Sequence, residues 1–237
     1  MTQQPLAPEA IRSRRQLLAD LFSQWRQGQH LVIVGPTGVG KTWLAAELLA
    51  PWRYVLALIS KPRDTTLAKQ FRGWSKVKTF DKIEWHQDHI LLIPDSRRLV
   101  AAAAARQTIA HALDEAYTAG GWTIFIDELQ QLSETWKLDT LIRTIFVTAR
   151  SNNVTLVAAC QRPRRVPIEA LNQATYLLSF HLHDEADVER LAEAAGIQRK
   201  RLLAINAQLS GRSLMLINNQ QQSITIYEEI SNEKNSA

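Results

Sequence analysis

Residues 35–42 of the chain read GPTGVGKT, and they follow a short apolar run, HLVIV at residues 30–34. A helix-forming segment at residues 41–50 comes directly afterwards. This order predicts a strand, a tight loop and a helix, with the pattern G-x-x-x-x-G-K-T forming the loop. Its glycines allow backbone angles that a β-carbon would obstruct, so that successive N–H groups can point at one anion. The stretch therefore predicts a phosphate-binding loop at the end of a strand.

Different residues of this loop are expected to contact different parts of a nucleoside triphosphate and its metal ion. Lys41 can reach the β and γ phosphates, and the Thr42 hydroxyl can ligate Mg²⁺. The predicted phosphate cradle consists of Gly35, Pro36, Thr37, Gly38, Val39, Gly40, Lys41 and Thr42. The alternative is a chance glycine-rich turn, which is expected at roughly the one-per-cent level in such a chain. The sequence thus favours ATP, or another nucleoside triphosphate, with Mg²⁺ as the bound group.

A second strand ends in two carboxylates, in the stretch WTIFIDE at residues 122–128. Asp127 is expected to hold the hydration shell of Mg²⁺. Glu128 is expected to orient and polarise a water molecule, because hydrolysis depends on placing a nucleophile in line with the γ-phosphate. The alternative is that both acids only cap the next helix. A water-activating glutamate disfavours a small-molecule kinase, which needs none.

The apolar run at residues 154–159 predicts a third strand, and it is followed by Cys160 and Gln161. We expect Gln161 to sense the γ-phosphate from the neighbouring strand. A strand-end amide that only satisfies the backbone is the alternative. Cys160 is the single cysteine and continues an apolar run, so a buried and inert thiol is expected.

The order of apolar segments predicts an α/β protein. Strands are predicted at residues 30–34, 54–59, 90–93, 122–126, 154–159 and 175–180, helices at 11–25, 41–50, 97–119, 136–150, 168–172 and 184–195, and a closing hairpin at 213–217 and 223–227. Short apolar strands that alternate with helices favour a mostly parallel central sheet with helices on both faces and ligands at the carboxyl ends of the strands.

Composition bounds the size and the surroundings of this fold. With 237 residues, 46% of them hydrophobic, the chain is predicted to form one domain over residues 11–227, between a flexible amino terminus (1–10) and a flexible carboxyl tail (228–237). The chain lacks a signal-peptide pattern and any apolar stretch of roughly 18 residues, so a soluble, cytoplasmic protein is expected. The net charge of +5 favours a polyanionic partner.

The stretch ARSNNVTLVAACQRP at residues 149–163, taken with GPTGVGKT and IFIDE, resembles the FtsK/HerA superfamily of DNA-pumping ATPases. The likeness spans most of residues 30–195, and the Gln-Arg-Pro ending is more discriminating than the phosphate loop. The resemblance implies a RecA-like (ASCE) P-loop core, a homo-oligomeric and hexameric ring, ATP hydrolysis between neighbouring subunits, and double-stranded DNA moved through the centre.

The compact chain looks most like the genome-packaging ATPases of membrane-containing icosahedral viruses or a small mobile-element relative. It leaves little room for a membrane anchor or a winged-helix DNA reader, and a capsid or membrane portal protein is a possible further partner. Two other functions stay open: an AAA-type remodelling or DNA-helper ATPase acting on a protein partner, and a nucleotide-gated binding switch with little turnover.

Three arginines are candidates for the catalytic finger that the resemblance implies. Arg150 matches the arginine of the family and is the first candidate, followed by Arg143 and Arg162. Arg143 and Arg150 stand seven residues apart in a predicted helix, so they are expected to share a face that points away from the core. The alternative is that each is an ordinary solvated arginine.

Two basic stretches are candidates for contact with DNA. Residues 61–82 contain seven lysines or arginines against two acids, with Phe71, Trp74 and Phe80 interleaved, and the second cluster is Arg162, Arg164 and Arg165. Aromatic residues that only pack in the core are the alternative. Four histidines, His86, His89, His181 and His183, have no Cys or carboxylate partners at ligand spacing, so a zinc site is not expected, and His181 and His183 fit the solvent face of a strand.

Overall fold

The computed structural model of the chain describes residues 7–60, 69–95 and 99–228, and it places ten strands of this part in one sheet. The strands are β1 (Ala10–Ser13), β2 (His30–Val34), β3 (Val55–Leu58), β4 (Ser75–Val77), β5 (His89–Leu92), β6 (Thr123–Ile126), β7 (Thr155–Cys160), β8 (Ala174–Phe180), β9 (Leu214–Asn218) and β10 (Ser223–Glu228). Their order across the sheet is β1-β10-β9-β8-β2-β7-β6-β3-β5-β4.

Seven α-helices accompany these strands in the described ranges. They are α1 (Leu17–Gln24), α2 (Lys41–Leu49), α3 (Leu99–Ala119), α4 (Asp139–Thr148), α5 (Ile168–Asn172), α6 (Glu185–Ala195) and α7 (Arg199–Asn206). Short 3₁₀ turns precede α1 and β7, at Arg14–Gln16 and Ala149–Asn152, and a π-helical turn occupies Gln131–Thr135.

The central strands are parallel and end at one edge of the sheet. Strand β2 pairs with β7 so that Val34 lies opposite Cys160, and β7 pairs with β6 so that Ala158 lies opposite Ile126. Strand β9 is antiparallel to its neighbours β8 and β10. Because β7 lies between β2 and β6, the residue that follows β7 stands between the phosphate loop and the two carboxylates. The predicted fold class, mostly parallel with a carboxyl-terminal hairpin, is confirmed.

Apolar side chains fill both faces of the sheet, as parallel sheets require. Successive residues of β2 point to opposite faces: Leu31 and Ile33 pack with α1 and α2, whereas Val32 and Val34 pack with α3, α4 and α6. All five residues of this strand are buried. A shift of one residue in register would therefore move every one of these side chains into the wrong layer.

The opening helix predicted over residues 11–25 is wrong in its first part. Residues Ala10–Ser13 form a strand that pairs in parallel with β10, and the helix begins only at Leu17. The open edge of the hairpin supplies backbone partners that override the local helical period. Ser13 and Gln16 form a capping box, a start signal present in the sequence as S-x-x-Q but not used in the prediction.

The predicted flexible ends fall partly outside the described residues, which exclude 1–6 and 229–237. The predicted amino-terminal segment includes Glu9, whose carboxylate accepts hydrogen bonds from the Ile224 N–H at 2.6 Å and from Arg201 at 2.5 Å. The predicted tail begins at Glu228, which is the last residue of β10. The boundaries of the single domain stay a prediction.

Other differences arise where tertiary packing decides local structure. Strand β4 and helix α7 were not predicted, and the helix predicted over residues 136–150 is shorter. Trp136 and Leu138 are both buried, and Lys137 between them has a φ of 55°. This left-handed residue separates the π-helical turn from α4, so the two apolar side chains reach the core without a continuous helix.

A buried histidine connects the amino ends of β2 and β7. His30 is 3% exposed, its Nδ1 accepts a hydrogen bond from the Leu156 N–H at 3.1 Å, and its ring packs edge-on against Phe146. Burial is the main cause that lowers the pKa of His30 to about 4, with the nearby Arg150 charge in the same direction. The ring is therefore held in its neutral form.

His30 predicts a loss of stability on mild acidification. Because its pKa is lower in the folded chain than the ordinary value of 6.5, the unfolded chain binds more protons between these two values. Stability is therefore full above pH 6.5 and falls as the pH drops towards 4. We expect His30 to account for a fall of about 2 kcal/mol in the free energy of unfolding between pH 7 and pH 5.

Denaturant unfolding at several pH values measures this pH dependence of the free energy of unfolding. His30→Gln should lower stability at pH 7 and should flatten the slope between pH 7 and pH 5. The control is His86→Gln, the same substitution at a histidine whose side chain is 80% exposed. Equal slopes in wild type and His30→Gln would contradict the assignment.

Candidate active site

The glycine-rich loop joins β2 to α2 and wraps around the side chain of Lys41. Gly38 and Gly40 have φ values of 86° and 101°, which suit glycine and would strain a residue with a β-carbon. The Lys41 ammonium donates hydrogen bonds to the carbonyl oxygens of Gly35, at 2.7 Å, and Pro36, at 2.8 Å. The loop thus holds a positive charge at the start of α2, where backbone N–H groups also favour an anion.

Thr42 joins the loop to the acidic strand end. Its hydroxyl donates a hydrogen bond of 2.9 Å to Oδ1 of Asp127, across 85 residues of sequence. Asp127 is buried, although it follows the last residue of β6 directly. One hydroxyl and one carboxylate in contact fit Mg²⁺, which is usually held by one or two protein oxygens together with phosphate and water. Thr42 and Asp127 therefore lie together, as a shared magnesium site requires.

Gln161 lies between Glu128 and the phosphate loop and is hydrogen-bonded to both. Its Nε2 donates to Oε2 of Glu128 at 2.9 Å, and its Oε1 accepts a hydrogen bond from the Thr37 hydroxyl at 3.0 Å. The amide orientation follows from these two partners. The three side chains stand at the ends of β6, β7 and β2, so the order of the strands brings them into contact. The sequence predicted Gln161 near the site but did not reveal that Thr37 would link it to the loop.

The arrangement suits attack on a phosphate by water. Glu128 is buried and can accept a proton or a hydrogen bond from water, while Lys41 offsets negative charge on the phosphates. Beside Thr37 and Gln161 lies a cleft of about 670 Å³ that is also lined by the acids Asp184 and Glu185. This cleft leaves the γ-phosphate end of the loop accessible from outside.

Two of the three candidate finger arginines are held by acids of their own chain. Arg143 pairs with Asp139 at 2.6 Å and with Glu169 at 2.5 Å. Arg162 pairs with Asp187 at 3.0 Å and also with Asp184. These pairs raise the pKa of each guanidinium, mainly through hydrogen bonds to the carboxylates. Neither side chain is available without breaking its ion pairs.

Arg150 differs from the other two candidates. It is exposed, and within residues 7–60, 69–95 and 99–228 no acid pairs with its guanidinium. It lies in the 3₁₀ turn after α4, so the predicted helical face shared with Arg143 is not kept. The turn precedes β7 and packs near Gly28, which precedes β2. It therefore lies at the amino ends of the strands, whereas the phosphate loop lies at their carboxyl ends. Arg150 therefore cannot serve the site of its own chain.

The residues of the two basic stretches have different surroundings in the structure. Residues 61–68 of the basic stretch lie outside the described residues. Of its aromatic side chains, Phe71 is fully buried, and Trp74 stacks on His89 with ring centroids 4.6 Å apart. Both rings thus have packing partners within the chain, and contact of this stretch with DNA stays a prediction. In the second cluster, Arg164 and Arg165 pair with Asp184 and Glu134, so that much of its charge is compensated.

The cysteine and the histidines have structural surroundings. Cys160 is fully buried as predicted, and burial is the main cause that raises the pKa of its thiol to about 12. His181 and His183 follow β8 in a loop, rather than lying within a strand as expected, and their rings are 4.9 Å apart. Burial and the neighbouring His183 lower the pKa of His181. Among the described residues, no three His, Cys, Asp or Glu side chains cluster as metal ligands.

None of the helices in the described part of the chain combines the length and the apolar character needed to cross a bilayer. No curated protein sequence matches the chain. Several solved structures share its fold. The genome packaging NTPase B204 of Sulfolobus turreted icosahedral virus 2, in complex with AMPPCP, superposes with a TM-score of 0.64 at 13% identity, covering 85% of this chain and 98% of that one.

Two further structures are similar over nearly the whole of this chain. VirB4 of Thermoanaerobacter pseudethanolicus gives a TM-score of 0.63 at 10% identity, covering 86% of this chain and 90% of that one. The cytoplasmic domain of the type VII secretion ATPase EccC from Thermomonospora curvata gives 0.54 at 16% identity, covering 90% of this chain and 27% of that one. These similarities confirm the RecA-like fold that the sequence resemblance implied.

The family model agrees with the fold and the geometry of the loop. Residues 30–176, from the start of β2 into β8, match the model described as AAA domain (dynein-related subfamily). The match includes the phosphate loop, the acidic end of β6 and Gln161. The chain belongs to this AAA domain family, and it is a P-loop ATPase.

Proposed function

We propose that the chain is the ATP-hydrolysing subunit of a ring that moves double-stranded DNA, as in genome packaging or DNA transfer. The observation that carries the proposal is the hydrogen-bonded series from Glu128 through Gln161 to Thr37. It couples the group that would position water to the loop that would hold the γ-phosphate. A protein that only bound nucleotide would not need this connection.

The residues at the strand ends divide the steps of hydrolysis. Lys41 would offset charge on the β and γ phosphates, and Thr42 and Asp127 would hold Mg²⁺ through their oxygen atoms. Glu128 orients the attacking water and accepts its proton as the water oxygen bonds to the γ-phosphorus. The bond from the γ-phosphorus to the bridging oxygen breaks, and the nucleoside diphosphate leaves with that oxygen. Gln161 responds to the γ-phosphate because its amide already contacts both Thr37 of the loop and the general base Glu128. Mg²⁺ itself would stabilise the charge that moves to the leaving phosphate.

The position of Arg150 favours action between copies of the chain. Its exposed guanidinium lies at the amino ends of the strands, away from the loop at their carboxyl ends. The cleft beside Thr37 and Gln161 is open and partly acidic. In a closed ring each subunit presents one surface to its neighbour and a different surface to the other side. Arg150 of one copy would then enter the cleft of the next and offset charge in the transition state.

Duplex DNA as the substrate is supported by charge and by fold. The chain carries a net charge of +5 and has a sequence pI of about 9.5. Lys69 and Arg72, which precede β4, and Lys78, which follows it, are exposed, and β4 is the last strand at one side of the sheet. The similarly folded B204 of Sulfolobus turreted icosahedral virus is a DNA-packaging ATPase. Basic side chains that neutralise phosphates would release counterions, so binding should weaken as salt rises.

One combined experiment tests the proposal: the rate of phosphate release and the particle mass, each measured with and without duplex DNA at low salt. We expect a ring whose ATPase rate rises with DNA, and we expect high salt to remove the increase. A ring that hydrolyses ATP without responding to DNA would favour an AAA-type ATPase that acts on a protein. Absence of phosphate release would favour a nucleotide-gated switch.

Glu128→Gln is expected to separate binding from hydrolysis. The amide keeps the shape of the side chain but cannot accept a proton, so the ATPase rate should fall at least about 100-fold while ATP still binds. Calorimetry of ATP binding and a phosphate-release assay check both halves. Glu115→Gln, the same change at an exposed position of α3, should leave both values unchanged. Hydrolysis at the wild-type rate in Glu128→Gln would contradict the role of Glu128.

Mixing two inactive variants tests Arg150. Arg150→Ala keeps an intact loop but lacks the finger, and it should lose at least about 100-fold in rate. Glu128→Gln subunits keep the finger but lack the base. A mixed ring contains interfaces with an intact base and an intact finger, so the mixture should be more active than either variant alone.

The matched control is Arg143→Ala, because Arg143 is paired with acids of its own chain. When Arg143→Ala is mixed with Glu128→Gln, the activity of the mixture should equal the activity of the Arg143→Ala subunits that it contains. Failure of the Arg150→Ala mixture to regain activity, in rings shown by mass to be mixed, would rule out a finger at this position.

A further inference from the structure

One tryptophan of this chain is exposed, and it stands directly beside the phosphate loop. The chain has seven tryptophans, of which Trp43 is 51% exposed while the other six are buried or partly buried. A tryptophan in water leaves a large apolar ring surface without contacts. Trp43 follows Thr42, so its backbone position is fixed by the same turn of α2 that forms the end of the loop.

Helix α2 directs this ring away from the core. Leu44, Ala45 and Leu48 of α2 are buried in the layer between α2 and the sheet. Trp43 and Glu47 are one helical turn apart, so they share the outward face. The Trp43 ring therefore lies over the surface next to the loop rather than beneath it.

Residues from two other elements border the same surface. The Arg14 guanidinium lies 6.0 Å from the centre of the Phe180 ring, and its charge also acts on Glu47 of α2. Phe180 in turn lies against the start of the loop, because a β-carbon on Gly35 would come within 2.9 Å of the Phe180 Cβ. The outward face of α2, Arg14 and the end of β8 thus surround one end of the loop.

The order of the strands shows which end of a nucleotide lies there. Gln161 and Glu128, at the ends of β7 and β6, mark the γ-phosphate end. Across the sheet the order is β8-β2-β7-β6, so a triphosphate held by the loop after β2 has its nucleoside end away from β7 and β6. That end is the side of Arg14, Phe180 and the exposed face of α2, on the face of the sheet opposite to α6.

We infer that Trp43 stacks on the base of the bound nucleoside triphosphate. The inference rests on the proposed function and assigns a residue to its base site. Ring stacking uses the π-face that every base has, so Trp43 would strengthen binding without selecting adenine over guanine. The exposed ring would be covered only when a nucleotide is bound, which accounts for a solvent-facing tryptophan at this place.

Calorimetry with three ligands in the presence of Mg²⁺ tests the inference: AMPPCP, GMPPCP and inorganic tripolyphosphate. Trp43→Ala should weaken the binding of both nucleotide analogues roughly tenfold and leave tripolyphosphate unchanged. Trp43→Phe should keep most of the affinity, because phenylalanine also offers a ring face. Quenching of tryptophan fluorescence by AMPPCP should be reduced in Trp43→Phe.

The matched control is Val147→Ala, which truncates another exposed apolar side chain, 54% exposed, on α4. It should alter no affinity. Unchanged analogue binding in Trp43→Ala, or an equal loss for tripolyphosphate, would overturn the inference. Unchanged affinities with a smaller particle mass would also overturn it and would make Trp43 a contact between copies. If the wild-type chain binds neither AMPPCP nor tripolyphosphate, the proposed function itself is wrong.

Discussion

The hydrogen bond between Thr42 and Asp127 depends on three parallel strands that end at the same level. Every residue of β2, β6 and β7 is buried, so the apolar layers on both faces fix the register of these strands. A slip of one residue would move apolar side chains into the wrong layer and would also turn Asp127 to the other face. The packing that stabilises the fold thus sets the positions of the groups that carry the chemistry.

Much of the site could be predicted because its signals are local. The loop lies within eight consecutive residues, and the carboxylates and Gln161 each follow an apolar run directly. Since the carboxyl ends of parallel strands meet at one edge, a sequence of strands and helices is enough to bring these groups together. The position of β7 between β2 and β6 then explains why Gln161, rather than another polar residue, contacts both Glu128 and Thr37.

The rest depended on contacts between distant segments. The sequence alone does not distinguish Arg143 and Arg162 from Arg150 as finger candidates. Their acid partners come from α4, the start of α5 and the start of α6. Asp139 stands four residues before Arg143, at the spacing of a helix ion pair, but no spacing rule reveals Glu169 or Asp187. Strand β1 was missed for a related reason, because its partner β10 is at the other end of the chain. A helical pattern of apolar residues could not show that an open sheet edge would pair with this segment first.

The ion pairs of Arg162 give the site a mechanical connection to the outer surface of the molecule. Arg162 is the next residue after Gln161, and its guanidinium holds both Asp184 and Asp187 at the start of α6. Asp184 also caps that helix through the Ala186 N–H, so the arginine is attached to the helix end itself. If Gln161 acts as proposed, its displacement on γ-phosphate release would be passed through Arg162 to the start of α6.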